Sequence, residues 1–175
     1  GCAAMGYGFP AAIGCSVANG KKRTVCIDGD GSFQMNIQEL QTVIYNHLNL
    51  KIIYLNNNGY HSIRQTQTNL FAPPLVGVCD GNGLSFPEME RICWAYGIPY
   101  VKADNIDTVH KAIQDFLNIE GPAFLEAILD PSQNFEPKLS SQRLPDGTIV
   151  SPPIDDMFPF LPREEYKSNK DLNKI

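Results

Sequence analysis

The sequence lacks any run of about 20 apolar residues, the length that a membrane-spanning helix needs. It also lacks runs of lysine and arginine, and its formal net charge is −5. Surfaces that bind nucleic acid are normally basic, so both observations argue against one. No basic segment followed by an apolar one opens the chain, so we expect no signal peptide. Neither a membrane nor a nucleic acid is therefore predicted as a partner.

Cysteine is sparse and scattered. The five cysteines form no CxxC pair, and the three histidines lack the spacing of zinc ligands. Cys15, Cys26 and Cys93 lie among apolar neighbours, as buried free thiols do. This pattern predicts a reduced, cytoplasmic location.

The 175 residues, of which 43% are hydrophobic and 19% charged, suffice for one globular domain with its own core. Short apolar runs alternate with helical patterns over residues 1–130, which predicts parallel βαβ units. The predicted fold class is therefore α/β, a doubly wound parallel sheet with helices on both faces. Residues 131–175 hold seven prolines and show no helical or strand period, so we predict an extended proline-rich tail, disordered from Lys167 to Lys174.

Two segments match the capping-box pattern that opens many helices, in which a small polar residue is followed by glutamate three positions later. Asn36 with Glu39 predicts one helix start, and Ser85 with Glu88 predicts another. The second helix is expected to end at Gly97.

Polar loops follow two apolar runs. Asp28-Gly-Asp-Gly-Ser-Phe33 follows the first, and Leu55-Asn-Asn-Asn-Gly-Tyr60 follows the second. In a parallel sheet these loops lie at the carboxyl edge, where such folds bind ligands, and a helix that begins there offers free N–H groups to a phosphate. The Asp30 carboxylate and the Asn57 amide oxygen are hard ligands that suit Mg²⁺ when a backbone carbonyl and phosphate oxygens complete the shell.

At these residues the sequence resembles the thiamine-diphosphate enzymes. Gly29-Asp-Gly-Ser32 followed by Asn56-Asn57 is similar to the signature of that family, and the order of motifs is similar to the acetolactate synthase branch. The resemblance covers roughly residues 1–130. A GDG triplet alone is also a common turn, so two ordinary turns after two strands are the structural alternative.

The resemblance implies a ligand set for the metal and the cofactor. The Asp30 carboxylate, the Asn57 side chain and the Gly59 carbonyl would bind the metal, and backbone amides of Gly31 and Ser32 would hold the diphosphate. Glycine at position 31 would also let the backbone approach the diphosphate.

The segment before the first helix would hold the pyrimidine ring of the cofactor. The Ala3 carbonyl would accept a hydrogen bond from the ring's amino group, and Met5 would be an apolar wedge that bends the cofactor, with a core methionine as the alternative. The complete predicted cofactor-binding set is Ala3, Met5, Gly29, Asp30, Gly31, Ser32, Asn57, Gly59, Tyr60 and His61. No side chain of this chain is predicted to be a catalytic acid, base or nucleophile.

The resemblance implies thiamine diphosphate and Mg²⁺ as cofactors and leaves open whether FAD binds in the full-length protein. It implies decarboxylation of a 2-ketoacid such as pyruvate and transfer of the two-carbon unit to a carbonyl acceptor, in a homodimer or homotetramer. In this family a glutamate on a separate upstream domain activates the cofactor. We therefore expect a C-terminal part of a longer enzyme, inactive by itself.

Three rival interpretations remain at this point. The first is a 2-ketoacid decarboxylase of the same superfamily, and the second is a non-catalytic module for subunit contacts. The third, a dinucleotide-binding domain, is disfavoured because no G-x-G-x-x-G follows a strand. The acceptor is also open, because Thr66 stands where acetohydroxyacid synthases carry a tryptophan that shapes the acceptor pocket. A wider, more polar pocket would suit an acceptor such as a keto-sugar.

Overall fold

A computed structural model gives the fold and describes residues 3–71 and 73–172. The chain divides into two compact units. Unit one extends to Arg64 and includes Val76–Ser132, and unit two comprises Gln65–Leu75 and the chain from Gln133 onward. Across the described part of the chain, no helix has both the length and the apolar character to span a membrane.

Unit one is built on four parallel strands flanked by helices. The strands are β1 (Thr24–Gly29), β2 (Leu50–Asn56), β3 (Tyr100–Ala103) and β4 (Ala123–Ile128). The helices are α1 (Gly8–Ala18), α2 (Asp30–Gln34), α3 (Leu40–Tyr45, after a 3-10 turn at Ile37–Glu39), α4 (His61–Leu70, whose last six residues belong to unit two), α5 (Met89–Tyr96) and α6 (Val109–Asn118). The strand order is β1-β2-β4-β3, all parallel. The predicted α/β fold with a parallel sheet is thus confirmed.

Apolar side chains are buried on both faces of this sheet because alternate residues of a strand point to opposite faces. On one face, Ile52, Tyr54 and Phe124 belong to a buried cluster that includes residues of α1, α2, α3 and α5. On the other face, Leu125 belongs to a second cluster with Phe116 of α6. The sheet is therefore covered by helices on both sides.

Phe33 of α2 lies at the centre of the larger cluster and is fully buried. Its ring centroid is 4.5 Å from that of Phe9, 5.6 Å from that of Tyr54 and 5.5 Å from that of Phe124. Aromatic pairs at such separations add to the stabilisation that burial alone provides. The residue that follows Gly-Asp-Gly-Ser thus fixes α2 against the sheet.

Lys51 is a buried charge at the second position of β2, with 1% of its surface exposed. Its ammonium group donates to the carbonyl oxygens of Ile119 and Gly121, the latter at 2.5 Å. Burial lowers the pKa of the Lys51 ammonium, and the two carbonyls compensate part of its lost hydration. Lys51 therefore fastens the connection between α6 and β4 to the strand beside it.

The first capping-box pattern predicted the correct start, because Asn36 is the N-cap residue of the 3-10 turn, but the predicted side-chain cap is absent. The second pattern predicted the wrong start. Asn36 makes no side-chain cap, and its amide instead donates to the Gly6 carbonyl at 2.6 Å. The second helix begins at Met89 rather than near Ser85, and Glu88 pairs with Arg91 at 2.6 Å. Its end at Gly97, in the left-handed conformation, is as predicted.

The thiols divide differently from the prediction. Cys26 and Cys93 are buried, and burial raises the pKa of each to about 12. Cys15 is exposed. The buried positions of α1 are instead Phe9, Ile13 and Ser16, so Cys15 lies on the outer side of that helix.

Unit two contains regular structure that the sequence analysis did not predict. Strands β5 (Gln142–Arg143) and β6 (Ile149–Val150) pair antiparallel, and helix α7 spans Arg163–Leu172. The predictions of a tail without helix or strand and of disorder from Lys167 were therefore wrong for the described residues, and residues 173–175 lie outside them. Arg163 forms a two-bond ion pair with the buried Asp156, at 2.6 and 3.0 Å, and this pair secures the start of α7.

Truncation of the central aromatic ring tests the importance of this cluster. Phe33→Ala is expected to lower the free energy of unfolding by about 3–5 kcal/mol, because it leaves a cavity that the neighbouring rings cannot fill. Phe33→Leu should lower it by less than about 1.5 kcal/mol. Urea unfolding measures both variants, with Tyr45→Ala as the control because Tyr45 is 78% exposed. Equal losses for Phe33→Ala and the control would refute a central role for this ring.

Candidate metal and cofactor site

Asp30 is a buried carboxylate at the first position of α2, directly after β1. Only 2% of its surface is exposed. Its Oδ2 accepts hydrogen bonds from the backbone N–H groups of Asn57, at 3.1 Å, and Gly59, at 3.0 Å. The ends of two neighbouring strands are thereby joined through one side chain, as the sequence analysis expected for polar groups at this edge.

The electrostatics of Asp30 combine two opposing effects. Burial raises the pKa of its carboxyl group above the ordinary 3.8, and hydrogen bonds from the backbone of Gly59, Gly31 and Asn57 lower it in part. Burying a charged oxygen is unfavourable unless donors or a cation compensate. This carboxylate would therefore gain from a bound cation.

Asn57 supplies an atom that fits the predicted metal. Its Oδ1 is buried and has no hydrogen-bond partner among the described residues. A buried amide oxygen without a donor is rare and calls for an explanation such as an ion, and Mg²⁺ prefers oxygen ligands. In the described part of the chain no three His, Cys, Asp or Glu side chains could together hold a metal ion. Amide, carbonyl and ligand oxygens would therefore have to complete the shell.

Gly59 is a position that only glycine can occupy. Its φ is +152°, and an added Cβ would lie 2.1 Å from the Val78 carbonyl oxygen. The close approach arises because residues 59 and 79 form an antiparallel bridge. Its carbonyl oxygen, the predicted third metal ligand, accepts a hydrogen bond from the His61 N–H at 2.9 Å.

The Gly29-to-Ser32 segment is a helix start rather than a loop. Gly29 is extended and precedes α2, and the Gly31 N–H donates to Oδ1 of Asp30 at 2.7 Å. A diphosphate that used the Gly31 amide would have to replace that bond. An added Cβ on Gly31 would lie 2.3 Å from the Tyr60 ring, so the structure gives glycine at 31 a second physical reason.

The predicted pyrimidine-binding residues lie beside an open cavity of about 600 Å³ in unit one. Ala3, Met5 and Ser32 line it together with Asp28. Sequence reasoning assigned no role to Asp28, whose Oδ1 accepts from the Gly29 N–H while its buried Oδ2 has no hydrogen-bond partner among the described residues. The structure thus brings the Ala3–Met5 segment to the α2 start, as the predicted site requires.

Arg64 is a residue that the sequence reasoning missed. Its guanidinium donates to the Asn57 carbonyl at 3.1 Å and lies 2.9 Å from Nδ1 of His61. It thereby supports the backbone of the predicted metal loop from the first turns of α4. His61 itself is 6% exposed, so it is a buried neighbour of this loop. The sequence shows an arginine in the predicted helix after Asn-Asn-Asn-Gly-Tyr, but nothing in the pattern indicates its contact with the Asn57 carbonyl.

A second cavity, of about 430 Å³, lies at the carboxyl ends of β2, β3 and β4. Glu126 is buried in its wall, where it accepts from the Asn56 amide at 2.6 Å and from the Tyr100 hydroxyl. These hydrogen bonds satisfy Glu126 within the protein, so we assign the trio a structural role.

Comparison with known proteins shows the family of this chain. Residues 1–127 match the family model "Thiamine pyrophosphate enzyme, C-terminal TPP binding domain". The chain therefore belongs to the thiamine pyrophosphate enzymes, as a C-terminal cofactor-binding domain of the acetolactate synthase-like kind.

Curated relatives are similar over most of this chain. Acetolactate synthase 3, chloroplastic, of Brassica napus is 37% identical over 145 residues, which are 81% of this chain and 22% of the relative. The acetolactate synthase large subunit of Porphyra purpurea is 31% identical over 140 residues, which are 80% of this chain and 23% of the relative. The chain thus spans less than a quarter of the length of these relatives.

A double-mutant cycle tests the contact between the Tyr60 ring and Gly31. Gly31→Ala is expected to lower the free energy of unfolding by about 1–3 kcal/mol, because the new methyl group overpacks the site. In a Tyr60→Ala background the same change should cost clearly less, because the ring has been removed and only the flexible end of Met5, at 3.1 Å, remains close to the new methyl group. Chemical denaturation of the four proteins provides the coupling energy.

Gly14→Ala is the matched control for this cycle, because nothing lies within 4 Å of its added Cβ on α1. Alanine is the better helix former, so this variant should gain stability by up to about 1 kcal/mol. Additive effects of Gly31→Ala and Tyr60→Ala would contradict the proposed ring contact.

Proposed function

We propose that this domain holds Mg²⁺ and the diphosphate of thiamine diphosphate within an acetolactate synthase-like enzyme. That enzyme decarboxylates a 2-ketoacid, with pyruvate as the expected donor, and transfers the two-carbon unit to a carbonyl acceptor. The observation that carries the proposal is the Asn57 Oδ1, buried without a partner among the described residues, on the loop whose backbone donates to the buried Asp30 carboxylate. Membership of the cofactor-binding family supports it.

The residues of this chain bind and orient, and the cofactor brings the reactive chemistry. When bound, thiamine diphosphate supplies the carbon nucleophile and the electron sink for decarboxylation. Asp30, the Asn57 side chain and the Gly59 carbonyl would hold the metal that neutralises the diphosphate. Met5 would support the thiamine end, since it lines the cavity that also reaches Ser32.

Several properties of the complete enzyme remain predictions from the sequence. The proposal includes an upstream domain that carries the activating glutamate, and assembly as a homodimer or homotetramer in the cytoplasm. The names of the plant relatives place those proteins in the chloroplast, which does not bear on the location of this chain.

Removal of the only carboxylate in the proposed ligand set tests the metal site. In the complete enzyme, Asp30→Ala should abolish Mg²⁺-dependent retention of thiamine diphosphate, because the ion loses its one charged protein ligand. Asn57→Ala should weaken retention less, because a neutral ligand is lost. Isothermal titration calorimetry with and without Mg²⁺ measures the affinities.

Asp107→Ala is the control for these variants, because Asp107 is an exposed aspartate of unit one. Its affinity for the cofactor should equal that of the wild type. Unchanged cofactor affinity in Asp30→Ala would remove the metal site from the proposal.

The acceptor is a further part of the proposal and rests on Thr66. A threonine in place of the tryptophan of acetohydroxyacid synthases would leave more volume and add a hydroxyl group. Even a fitted pocket distinguishes two 2-ketoacids that differ by one methylene by only about 1–3 kcal/mol. The volume and polarity of the pocket therefore matter more for the choice between a small 2-ketoacid and a larger, more polar acceptor. We therefore propose an acceptor that is bulkier and more polar than a second pyruvate, such as a keto-sugar.

Competition between acceptors in the complete enzyme tests this assignment. With pyruvate in excess, an added keto-sugar should divert the two-carbon unit and suppress acetolactate formation, as measured by product analysis. Acetolactate formation at roughly 10 s⁻¹, a typical enzymatic rate, without competition by the larger acceptor would identify a plain acetolactate synthase.

A further inference from the structure

The peptide unit on each side of Gly6 is held by a side chain from the segment that follows Asp30. The Gly6 N–H donates to the Ser32 hydroxyl at 3.0 Å, and the Asn36 amide donates to the Gly6 carbonyl at 2.6 Å. Ser32 and Asn36 lie 26 and 30 positions from Gly6 in sequence, so these are tertiary contacts. The turn before α1 is thereby fastened to the residues around α2.

The turn itself leaves no room for another arrangement. Gly6 is buried and has a φ of +82°, a conformation that favours glycine. An added Cβ would lie 2.9 Å from the Asn36 amide nitrogen and 3.1 Å from the Met35 Cβ. Asn36 therefore packs against the Gly6 backbone as well as donating to it.

Met5 is the residue that this arrangement positions. It immediately precedes Gly6, and its Cε lies 3.1 Å from the place where a Cβ of Gly31 would be. It also lines the 600 Å³ cavity with Ala3 and Ser32. A shift of the Gly6 peptide would move Met5 relative to both the cavity and α2.

The Asn36 side chain forms no helix-capping hydrogen bond that would account for an asparagine at this position. It precedes the 3-10 turn but makes no side-chain cap there. Among residues 3–71 and 73–172, the one contact that its Oδ1 accepts is a long one of 3.4 Å from the exposed Gln38 side chain. The Asn36 amide nitrogen therefore serves as the donor to the Gly6 carbonyl oxygen.

We propose that Asn36, together with the Ser32 hydroxyl, is a positioning residue that holds Met5 against the thiamine end of the bound cofactor. This inference rests on the proposed function. It assigns to the Ser32 side chain a task separate from the one predicted for its backbone amide. Loss of either hydrogen bond should weaken binding of the thiamine end and leave binding of the diphosphate end unchanged.

Two ligands allow binding at the thiamine end of the site to be distinguished from binding at the diphosphate end in the complete enzyme. Thiamine diphosphate reports on the whole site, and inorganic pyrophosphate reports on the diphosphate end alone, each titrated with Mg²⁺ by calorimetry. Asn36→Asp keeps the size of the side chain and removes the donor, and Ser32→Ala removes the acceptor and keeps the backbone amide. Gln38→Ala is the matched control, because it removes the neighbour of Asn36 without touching Gly6.

Each variant should bind thiamine diphosphate about tenfold more weakly, the effect of about 1.4 kcal/mol, which is within the range for one lost hydrogen bond. Pyrophosphate affinity should change less than about twofold, and Gln38→Ala should match the wild type for both ligands. Thermal unfolding verifies that the variants are folded, and Ser32→Ala decides the question if Asn36→Asp does not fold.

Different results would overturn the positioning role and the proposed function. Unchanged thiamine diphosphate affinity in a folded variant would overturn the positioning role, and so would an equal loss for both ligands, which would indicate general support of the α2 region. If the wild-type enzyme binds both ligands with equal affinity, the thiamine end contributes nothing to binding and the positioning role fails. If the wild-type enzyme binds neither ligand, the proposed function itself fails.

Discussion

The carboxylate of Asp30 is the constraint on which the geometry of this site depends. Asp30 directly follows β1 and begins α2, and its carboxylate accepts hydrogen bonds from backbone N–H groups of the loop after β2. Hydrogen bonds to a charged group contribute about 1.5–3 kcal/mol each, more than neutral ones. Because the group is buried, these donors are the partners that replace water, so the β2 loop is held at a fixed distance from α2.

The surrounding residues follow from that constraint. A loop drawn against Asp30 must pass close to residues 78 and 79, which leaves Gly59 without space for a side chain. The same loop directs Asn57 so that its Oδ1 is buried without a partner among the described residues, and Arg64 supports it through the Asn57 carbonyl. The buried Asp30 carboxylate and the buried Asn57 Oδ1 are therefore the two observations that support the proposed metal site.

The sequence predicted those features that depend on local pattern. Alternating apolar runs and helices gave the parallel sheet, and Asp30 with Asn57 could be placed at one edge because the carboxyl ends of parallel strands coincide. It failed where a side chain bonds to a partner that helical or strand spacing does not indicate. Asn36 reads as a helix cap but donates to Gly6, and the ion pair of Arg163 with Asp156 secures the start of a helix in a segment that shows no apolar period. The spacing of residues along the chain does not predict either contact.

Direct observation of the bound ion is the sharpest test of the metal assignment. Crystals of the complete enzyme grown with thiamine diphosphate and Mn²⁺, an anomalous scatterer that replaces Mg²⁺, would locate the ion. We predict one anomalous peak in direct contact with Asp30, the Asn57 Oδ1, the Gly59 carbonyl and the diphosphate oxygens, at distances near the 2.0–2.1 Å typical of Mg²⁺. An ion bound to the diphosphate without Asp30 or Asn57, or a cofactor bound with no ion at this edge of the sheet, would contradict it.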